Sequence, residues 1–245
     1  MKKSITITDI AKEAGVSIST VSRVLTGNAK VASEKREKVE SLIKKYDFRP
    51  NMFARGLLST QTGLVGVLVA DIRNPFYSTM FVSLEQAASL LGYNLLLCNS
   101  FGDRVKEFEL LDNLARQQVD AIIMIGGAVD ELVTDMEYAE KVNLISERIP
   151  FVITGRLDGT TCVRVNIDEI KAMTIVMEHL ASVSSFRQLA LIGGSTKVKS
   201  SVDLRACFRR QLKRFGLAYN AAFDVANMRY DEEGGYAAMN GLFEA

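Results

Sequence analysis

The sequence predicts a small all-α domain at its amino end, followed by an α/β body built from two doubly wound parallel sheets. Three observations support this fold class. Apolar residues recur at helical spacing in the first 60 residues, and from residue 63 onward continuous aliphatic runs alternate with helix-period segments. The 245 residues are 48% hydrophobic, which is enough for a sizeable buried core.

Three short helices are predicted in the amino-terminal part. The first spans Thr8 to Ala14, with the Thr8 hydroxyl placed to cap it and Gly15 placed to end it. The second follows a cap at Ser17 and runs to about Leu25, and the third is capped by Ser33. The apolar residues predicted to face inward are Ile10, Ala11, Ala14, Val21, Val24, Leu25, Val39, Leu42, Ile43 and Tyr46.

The body alternates strands and helices in a regular order. Strands are predicted at residues 63–71, 93–100, 120–127, 150–155, 162–167, 188–194 and 224–230. Helices are predicted at residues 75–92, 104–118, 130–148, 168–184, 201–215 and from 232 onward. Continuous aliphatic strands of this kind are typical of parallel sheets that are buried on both faces.

Composition excludes several classes of protein. No apolar segment follows Lys2 and Lys3 as in a secretory signal, so the cytoplasm is the expected compartment. Cys98, Cys162 and Cys207 are too few for a disulfide framework and are expected to be core thiols. The sequence has one histidine, His179, so we expect neither a metal site nor a histidine relay. Glycine motifs that cradle phosphates are absent from the sequence. We therefore expect no cofactor and no enzymatic activity.

The charge of the chain is unevenly distributed. The first 60 residues contain 12 Lys or Arg against 6 Asp or Glu, whereas the other 185 residues contain 18 against 23. A basic end joined to a mildly acidic body is typical of a chain that binds a polyanion at one end.

The segment Asp9–Leu25 carries the most specific signal. Ala11 lies where two helices must cross closely, Gly15 where a left-handed turn is needed, and Val21 where a helix-turn-helix buries an aliphatic residue. Read as DIAKEAGVSISTVSRVL, the segment resembles the opening of the LacI/GalR (lactose/galactose repressor) family. The resemblance implies a DNA-reading helix-turn-helix and a body like that of periplasmic binding proteins.

The resemblance also implies roles for individual residues of the second helix. Ile18, Ser19 and Arg23 would reach base edges, and a bidentate Arg23–guanine pair would supply roughly 1–3 kcal/mol of discrimination. Ile18 departs from the polar residue of some relatives and offers apolar contact only. The residues placed near phosphates are Thr6, Ser17, Thr20, Ser22 and Thr26.

Residues 50–62 are predicted to form a short hinge helix and linker. Asn51 follows Pro50 and can cap the helix, which is too short to persist alone. Here Asn51, Arg55 and Leu57 match the hinge helix of the family, which implies that Leu57 enters the minor groove between base steps. Gly56 and Leu58 depart from that pattern, and an ordinary interdomain linker is the alternative.

The resemblance places a small-molecule site between two α/β subdomains. Ligands in such folds lie beyond the carboxyl ends of the strands. Phe76 and Tyr77 match the aromatic pair that relatives present to a ring, with packing of both in the first helical turn as the alternative. Arg205 matches an arginine directed into the cleft from the second subdomain. The implied effector is a carbohydrate, or else a nucleobase.

The predicted organisation has four parts: a helix-turn-helix domain at 1–49, the hinge at 50–62, a first subdomain at 63–155 and a second at 156–245. Members of the family are longer. The chain reaches Ala245 within a predicted helix, so we expect the second sheet to be incomplete.

The function implied is that of an effector-controlled transcriptional regulator, a repressor. Its expected partners are a near-palindromic double-stranded operator, a carbohydrate effector and a second copy of the chain, with no membrane involved. Two alternatives stay open at this point. One is a DNA binder without ligand response, and the other is a small-molecule binding protein without DNA function.

Overall fold

The computed structural model of the protein describes residues 5–25, 27, 31–48, 61–183, 188–226 and 229–244. The chain divides into two compact units, Met1–Thr62 and Gly63–Ala245. Residues 50–60 of the hinge and linker predicted at 50–62 lie outside the described residues. The amino-terminal unit is called the head below, and the second unit is called the body.

The head contains the three helices that the sequence predicts. They are α1 (Ile7–Ala14), α2 (Ile18–Leu25) and α3 (Ser33–Lys45). Their inward residues form one apolar core whose fully buried members are Ile10, Val21 and Val39. Burial of these side chains stabilises helices that are too short to persist alone, because propensity contributes little at this length.

Two of the predicted helix caps are wrong. α1 is capped by Thr6 rather than Thr8, because only Thr6 has an acidic residue, Asp9, three positions later to complete a reciprocal capping box. α3 begins at Ser33 itself, and its cap residue Ala32 makes no side-chain cap bond. The predicted stop at Gly15 is confirmed: this residue has φ +68° and its N–H donates to carbonyls of the last turn.

The first sheet of the body is entirely parallel. Its strands are β1 (Leu64–Val69), β2 (Asn94–Asn99), β3 (Ala121–Ile125), β4 (Phe151–Ile153) and β5 (Val163–Arg164), in the order β2-β1-β3-β4-β5. The connecting helices are α4 (Pro75–Leu90), α5 (Arg104–Arg116) and α6 (Met136–Ser146). The parallel α/β architecture is thereby confirmed.

The structure differs from the prediction at two elements of this sheet. The strand predicted at 162–167 as the start of the second series is β5, which pairs with β4 and extends the first sheet. The helix predicted at 130–148 is divided into a 3₁₀ turn, Gly127–Asp130, and α6. Asp135 begins α6 because its carboxylate accepts the Tyr138 N–H, 3.2 Å away. The subdomain boundary at 155/156 stays a prediction.

The second group of elements follows β5. It comprises α7 (Glu169–Val183), β6 (Leu191–Gly193), α8 (Lys199–Arg214), a 3₁₀ turn (Ala221–Phe223), β7 (Asp224–Ala226) and α9 (Glu232–Glu244). In the described residues β6 and β7 form a parallel two-stranded sheet. Met177, Phe208 and Leu212 form its small buried core, which joins α7 to α8. We refer to the two sheets with their helices as the first and second lobes.

All three cysteines are free thiols. Cys98 and Cys207 are buried as predicted, and Cys162 is half-buried against the core of the first lobe. Among the described residues, no helix combines the length and the apolar run that a membrane span requires.

Gly66 in β1 is tightly enclosed and supports a stability prediction. A Cβ at residue 66 would lie 2.7 Å from Cδ2 of Leu114, a fully buried side chain of α5. Gly66→Ala is therefore expected to lower the free energy of unfolding by about 1–3 kcal/mol, as measured by urea denaturation followed by circular dichroism.

Gly241→Ala in α9 is the matched control, because a Cβ there meets no atom of the described residues within 4 Å. It is expected to leave stability unchanged or to raise it by about 0.5–1 kcal/mol. Equal losses of stability in the two variants would show that enclosure of Gly66 by Leu114 is not the cause.

Candidate functional site

Helix α2 has one buried face and one exposed face. Val21 and Val24 pack into the core of the head, while Ile18, Ser19 and Arg23 are exposed on the other side. Ile18 leaves 42% of its surface in contact with water. The three residues predicted to reach base edges therefore share the accessible face of one helix.

Hydroxyl groups cluster at the amino end of α2. Ser17 Oγ accepts the Thr20 N–H at 3.2 Å, and the predicted cap is confirmed. The same oxygen lies 2.8 Å from Ser19 Oγ and 2.9 Å from Thr20 Oγ1. These hydroxyls are brought together where unpaired backbone N–H groups and the helix dipole favour an anion. Ser22 is half-buried one turn further along.

Thr6 has a structural role as well as the predicted one. Its hydroxyl donates to Asp9 Oδ2 at 2.7 Å, and its backbone N–H donates to the same oxygen at 2.9 Å. Its place near a phosphate stays a prediction. The other predicted DNA contacts, Thr26, Asn51, Arg55 and Leu57, lie outside the described residues.

An ion pair connects the first and third helices of the head. Lys45 Nζ and the Tyr46 hydroxyl donate to the two carboxylate oxygens of Glu13, at 2.9 and 2.8 Å. These hydrogen bonds hold the pKa of Glu13 below its ordinary value. Because both charges are exposed, the contribution of the pair to stability is small.

The body contains a cleft of about 250 Å³ at the carboxyl ends of its strands. One wall is Pro75 of the first lobe. The lining residues of the second lobe are Ile192, Gly193, Arg229, Tyr230, Asp231, Glu232 and Gly235. This is the place where parallel α/β folds bind ligands.

Two tyrosine hydroxyls lie against glycines at strand ends. A Cβ at residue 194 would lie 1.5 Å from the Tyr230 hydroxyl, and a Cβ at residue 126 would lie 2.3 Å from the Tyr77 hydroxyl. The absence of a side chain at these two strand ends therefore makes room for the tyrosine hydroxyls. Burial raises the pKa of both phenols, so both remain hydroxyl donors at neutral pH.

The two residues of the predicted aromatic pair touch edge to face but differ in burial. Tyr77 packs into the first lobe beside Val67 and Ile125. Phe76 remains 48% exposed in the first turn of α4, with its ring centroid 5.7 Å from that of Tyr77. Neither side chain lines the cleft, although Pro75 beside them does. A ligand role for Phe76 and Tyr77 stays a prediction.

The guanidinium of Arg205 binds groups of the second lobe. Its side chain is 7% exposed, forms an ion pair with Asp224, and donates to the carbonyls of Val225 and Gly194 at 2.8 and 3.2 Å. It therefore holds β7 to the end of β6. The same guanidinium lies beside Gly193 of the cleft, and its ligand role stays a prediction.

Sequence reasoning missed the cleft residues that follow β7. Arg229, Tyr230 and Asp231 lie beyond the end of this strand, whereas the residues predicted for the site were Phe76, Tyr77 and Arg205. The rule that ligands bind beyond strand ends would have identified them had it been applied to β7. The Gly234 N–H and Arg229 hold the pKa of Asp231 below its ordinary value.

Comparison with known families matches both units of the chain. Residues 6–51 match the model described as bacterial regulatory proteins, lacI family. Residues 62–245 match periplasmic binding proteins and sugar binding domain of LacI family. The chain belongs to the LacI family.

Curated relatives of this LacI-family chain include catabolite control protein A of two staphylococci. The Staphylococcus xylosus protein is 39% identical over 204 residues, which cover 82% of this chain and 59% of the relative. The Staphylococcus aureus protein is 35% identical over 241 residues, which cover 97% of this chain and 71% of the relative. The match thus spans about three fifths to seven tenths of these relatives.

Solved structures show the same fold. The Lac repressor dimer bound to operator and the anti-inducer ONPF aligns with a TM-score of 0.77 at 23% identity, covering 99% of this chain and 71% of that one. Transcription regulator CcpA of Lactococcus lactis aligns with a TM-score of 0.59 at 25% identity, covering 74% and 64%. The LacI-family fold is therefore present in both units.

The ion pair of Arg205 supports a stability prediction for the LacI-family body. The Asp224 side chain is 3% exposed and also accepts from Arg209 and from the Tyr219 hydroxyl, at 2.6 and 2.9 Å. Asp224→Ala leaves the buried Arg205 charge without its carboxylate. We expect a loss of about 3–5 kcal/mol in the free energy of unfolding, measured by urea denaturation.

Arg209→Ala is the matched control, since it removes the exposed partner of the same carboxylate and leaves Arg205 paired. Its expected cost is within about 1 kcal/mol. If Asp224→Ala cost no more than Arg209→Ala, the buried pair would not be what holds β7 in the second lobe.

Proposed function

We propose that this chain acts as a sequence-specific DNA-binding transcriptional regulator, a repressor, controlled by a small molecule bound in the body. The observation that carries this proposal is the two-faced helix α2. Its apolar face is buried in the head, and its other face presents Ile18, Ser19 and Arg23 beside the hydroxyls of Ser17 and Thr20. Family membership supports the proposal independently.

The chemistry of α2 suits the major groove of DNA. Ser19 and Arg23 are four residues apart and therefore lie on the same side of the helix. A guanidinium there can donate two hydrogen bonds to a guanine, and Ile18 offers apolar contact to a thymine methyl. The hydroxyl cluster at the amino end of α2 suits a phosphate. We assign base contacts to Ile18, Ser19 and Arg23, and phosphate contacts to Thr6, Ser17, Thr20, Ser22 and Thr26.

A single head of this size makes few base contacts, so we infer that the regulator works as a homodimer on a near-palindromic operator. Asn51, Arg55 and Leu57 form the proposed hinge, with Leu57 as the minor-groove wedge. The head and the DNA that it reads imply a cytoplasmic site of action. The activity proposed here is that of a LacI-family regulator and not of an enzyme.

We propose a carbohydrate as the effector. The cleft combines the ring of Tyr230 with Asp231, Glu232 and backbone groups of Gly193, a set that suits a hydroxylated ring. The family model that matches the body includes sugar binding domains. Phe76, Tyr77 and Arg205 are proposed to join the site when the ligand is bound. A nucleobase is the second candidate.

Arg23→Ala tests DNA reading directly. The wild-type chain is expected to select a near-palindromic sequence from a randomised double-stranded pool. Arg23→Ala is expected to bind the selected sequence about tenfold to a hundredfold more weakly, corresponding to the ~1–3 kcal/mol of one bidentate base contact. The dissociation constants for the selected DNA and for random DNA are measured by fluorescence anisotropy at two salt concentrations.

Lys44→Ala removes a positive charge from α3 and serves as the charge-matched control. It is expected to weaken selected and random DNA equally and only slightly. If Arg23→Ala also weakened both DNAs by the same factor, Arg23 would be a phosphate contact rather than a base contact. If the wild type selected no sequence at all, the regulator proposal itself would fail.

Tyr230→Ala tests the cleft. A panel of neutral monosaccharides, disaccharides, sugar phosphates and purine bases is titrated by calorimetry against the full chain. For any compound that binds, Tyr230→Ala is expected to raise the Kd at least tenfold, equivalent to about 1.4 kcal/mol, because the aromatic side chain is lost from the lining of the cleft.

Tyr236→Ala is the matched control, since this exposed tyrosine lies in α9 outside the cleft lining. Its Kd is expected to stay within twofold of the wild-type value. An equal loss in both variants would place the ligand elsewhere. Sequence-specific DNA binding that no compound changes would support a regulator without ligand response.

A further inference from the structure

The two lobes of the body are joined by a direct polar contact outside the cleft lining. Asp130 ends the 3₁₀ turn after β3, in the first lobe. Its carboxylate accepts the Ser200 N–H at 3.0 Å and the Ser200 hydroxyl at 2.7 Å, and Ser200 lies in the first turn of α8, in the second lobe. Seventy residues of sequence separate the two partners.

This contact supplies a helix cap that α8 lacks. The cap residue of α8 is Val198, which makes no side-chain cap bond. The N–H of Ser200, in the first turn, is one of the donors that an α-helix cannot satisfy internally. A carboxylate at that position is one of the effective caps, and its charge also matches the helix dipole. Asp130 therefore performs for α8 the role that a cap residue normally performs for its own helix.

The neighbouring residue adds a second connection. Glu131 pairs with Val198 as an isolated antiparallel β-bridge. Two consecutive residues of the first lobe thus bind the chain just before and just inside α8. We call this set, Asp130 and Glu131 with Val198 and Ser200, the clasp.

The residues of the clasp that belong to the first lobe are fixed by contacts with α5 and α6. Glu107 of α5 is buried, and one of its oxygens accepts the Ala128 N–H at 3.2 Å and the Tyr138 hydroxyl at 2.9 Å. Arg104 forms an ion pair with Glu131, and its guanidinium lies 4.7 Å from the centre of the Tyr138 ring.

The turn that carries Asp130 requires a glycine at residue 127. A Cβ at residue 127 would lie 2.8 Å from a Glu107 oxygen, and the residue has φ +66°. The turn that carries Asp130 is therefore fixed to α5 and α6, so it moves with the first lobe as one piece.

We propose that the clasp holds the two lobes together in the absence of any ligand, by capping α8 of the second lobe with Asp130 of the first. Separation of the lobes requires α8 to lose this cap and the chain to lose the bridge at Glu131. The clasp biases the body toward the closed arrangement through residues that do not line the cleft. The proposal stands independently of DNA binding and of the identity of the effector.

The test compares three variants of the full chain without ligand. Asp130→Ala removes the carboxylate of the first lobe that caps α8. Ser200→Ala removes the hydroxyl of Ser200 and therefore one of the two hydrogen bonds that Asp130 accepts. Asp135→Ala is the matched control, because Asp135 caps α6 within the first lobe through the Tyr138 N–H, and its side chain has no hydrogen bond to the described residues of the second lobe. All three remove one polar group at the start of a helix.

Proximity of the lobes is measured by disulfide trapping. Glu131→Cys and Val198→Cys are introduced together, since opposed residues of an antiparallel bridge lie within the range of a disulfide. The rate of cross-linking under mild oxidation is then compared in each background. Asp130→Ala is expected to lower this rate at least fivefold, Ser200→Ala to lower it less, and Asp135→Ala to leave it unchanged.

Hydrogen exchange provides the second measurement, on the same cap variants without the cysteine pair. Asp130→Ala is expected to increase exchange at the start of α8 and also around residues 129–132 and the cleft segment 192–195. Asp135→Ala is expected to increase exchange at the start of α6 alone. An unchanged cross-linking rate in Asp130→Ala, with faster exchange confined to Ser200, would overturn the proposal and leave Asp130 as a local cap.

Discussion

The body depends on the burial of β1. Val67, Leu68 and Val69 are almost fully buried, with β2 and β3 paired along its two edges. A strand enclosed in this way needs cover on both faces of the sheet, and the crossover helices supply it. Because each crossover returns the chain in the same direction, the carboxyl ends of the strands meet at one edge. The cleft exists at that edge as a consequence of the parallel topology.

The charged side chains that are buried in the described part of the body form ion pairs and hydrogen bonds with other groups of the protein. Arg205 and Asp224 hold the second sheet together, and Glu107 anchors the turn after β3. Burial raises the pKa of Glu107, while hydrogen bonds and Arg104 act in the opposite direction. Such groups are costly to bury unless they are paired, so their partners specify where each turn and strand lies.

The head divides the surface of helix α2 between the core and the solvent. Its helices share one apolar core, in which α2 buries Val21 and Val24. The rest of its surface is left to Ile18, Ser19 and Arg23. This division allows the residues of the exposed face to change without loss of the fold.

The sequence by itself determined the features that depend on neighbouring residues. Helix spacing, the turn at Gly15 and the alternation of strands and helices are local, and the motif at Asp9–Leu25 identified the family. Tertiary structure decided which distant groups meet. It placed β5 in the first sheet, Arg205 on Asp224, the Tyr230 hydroxyl against Gly194 and Asp130 at the start of α8. These contacts join segments up to 70 residues apart in the sequence. Local periodicity carries no information about which distant segments meet. Those pairings depend on how the elements pack and on the need of buried polar groups for hydrogen-bond partners.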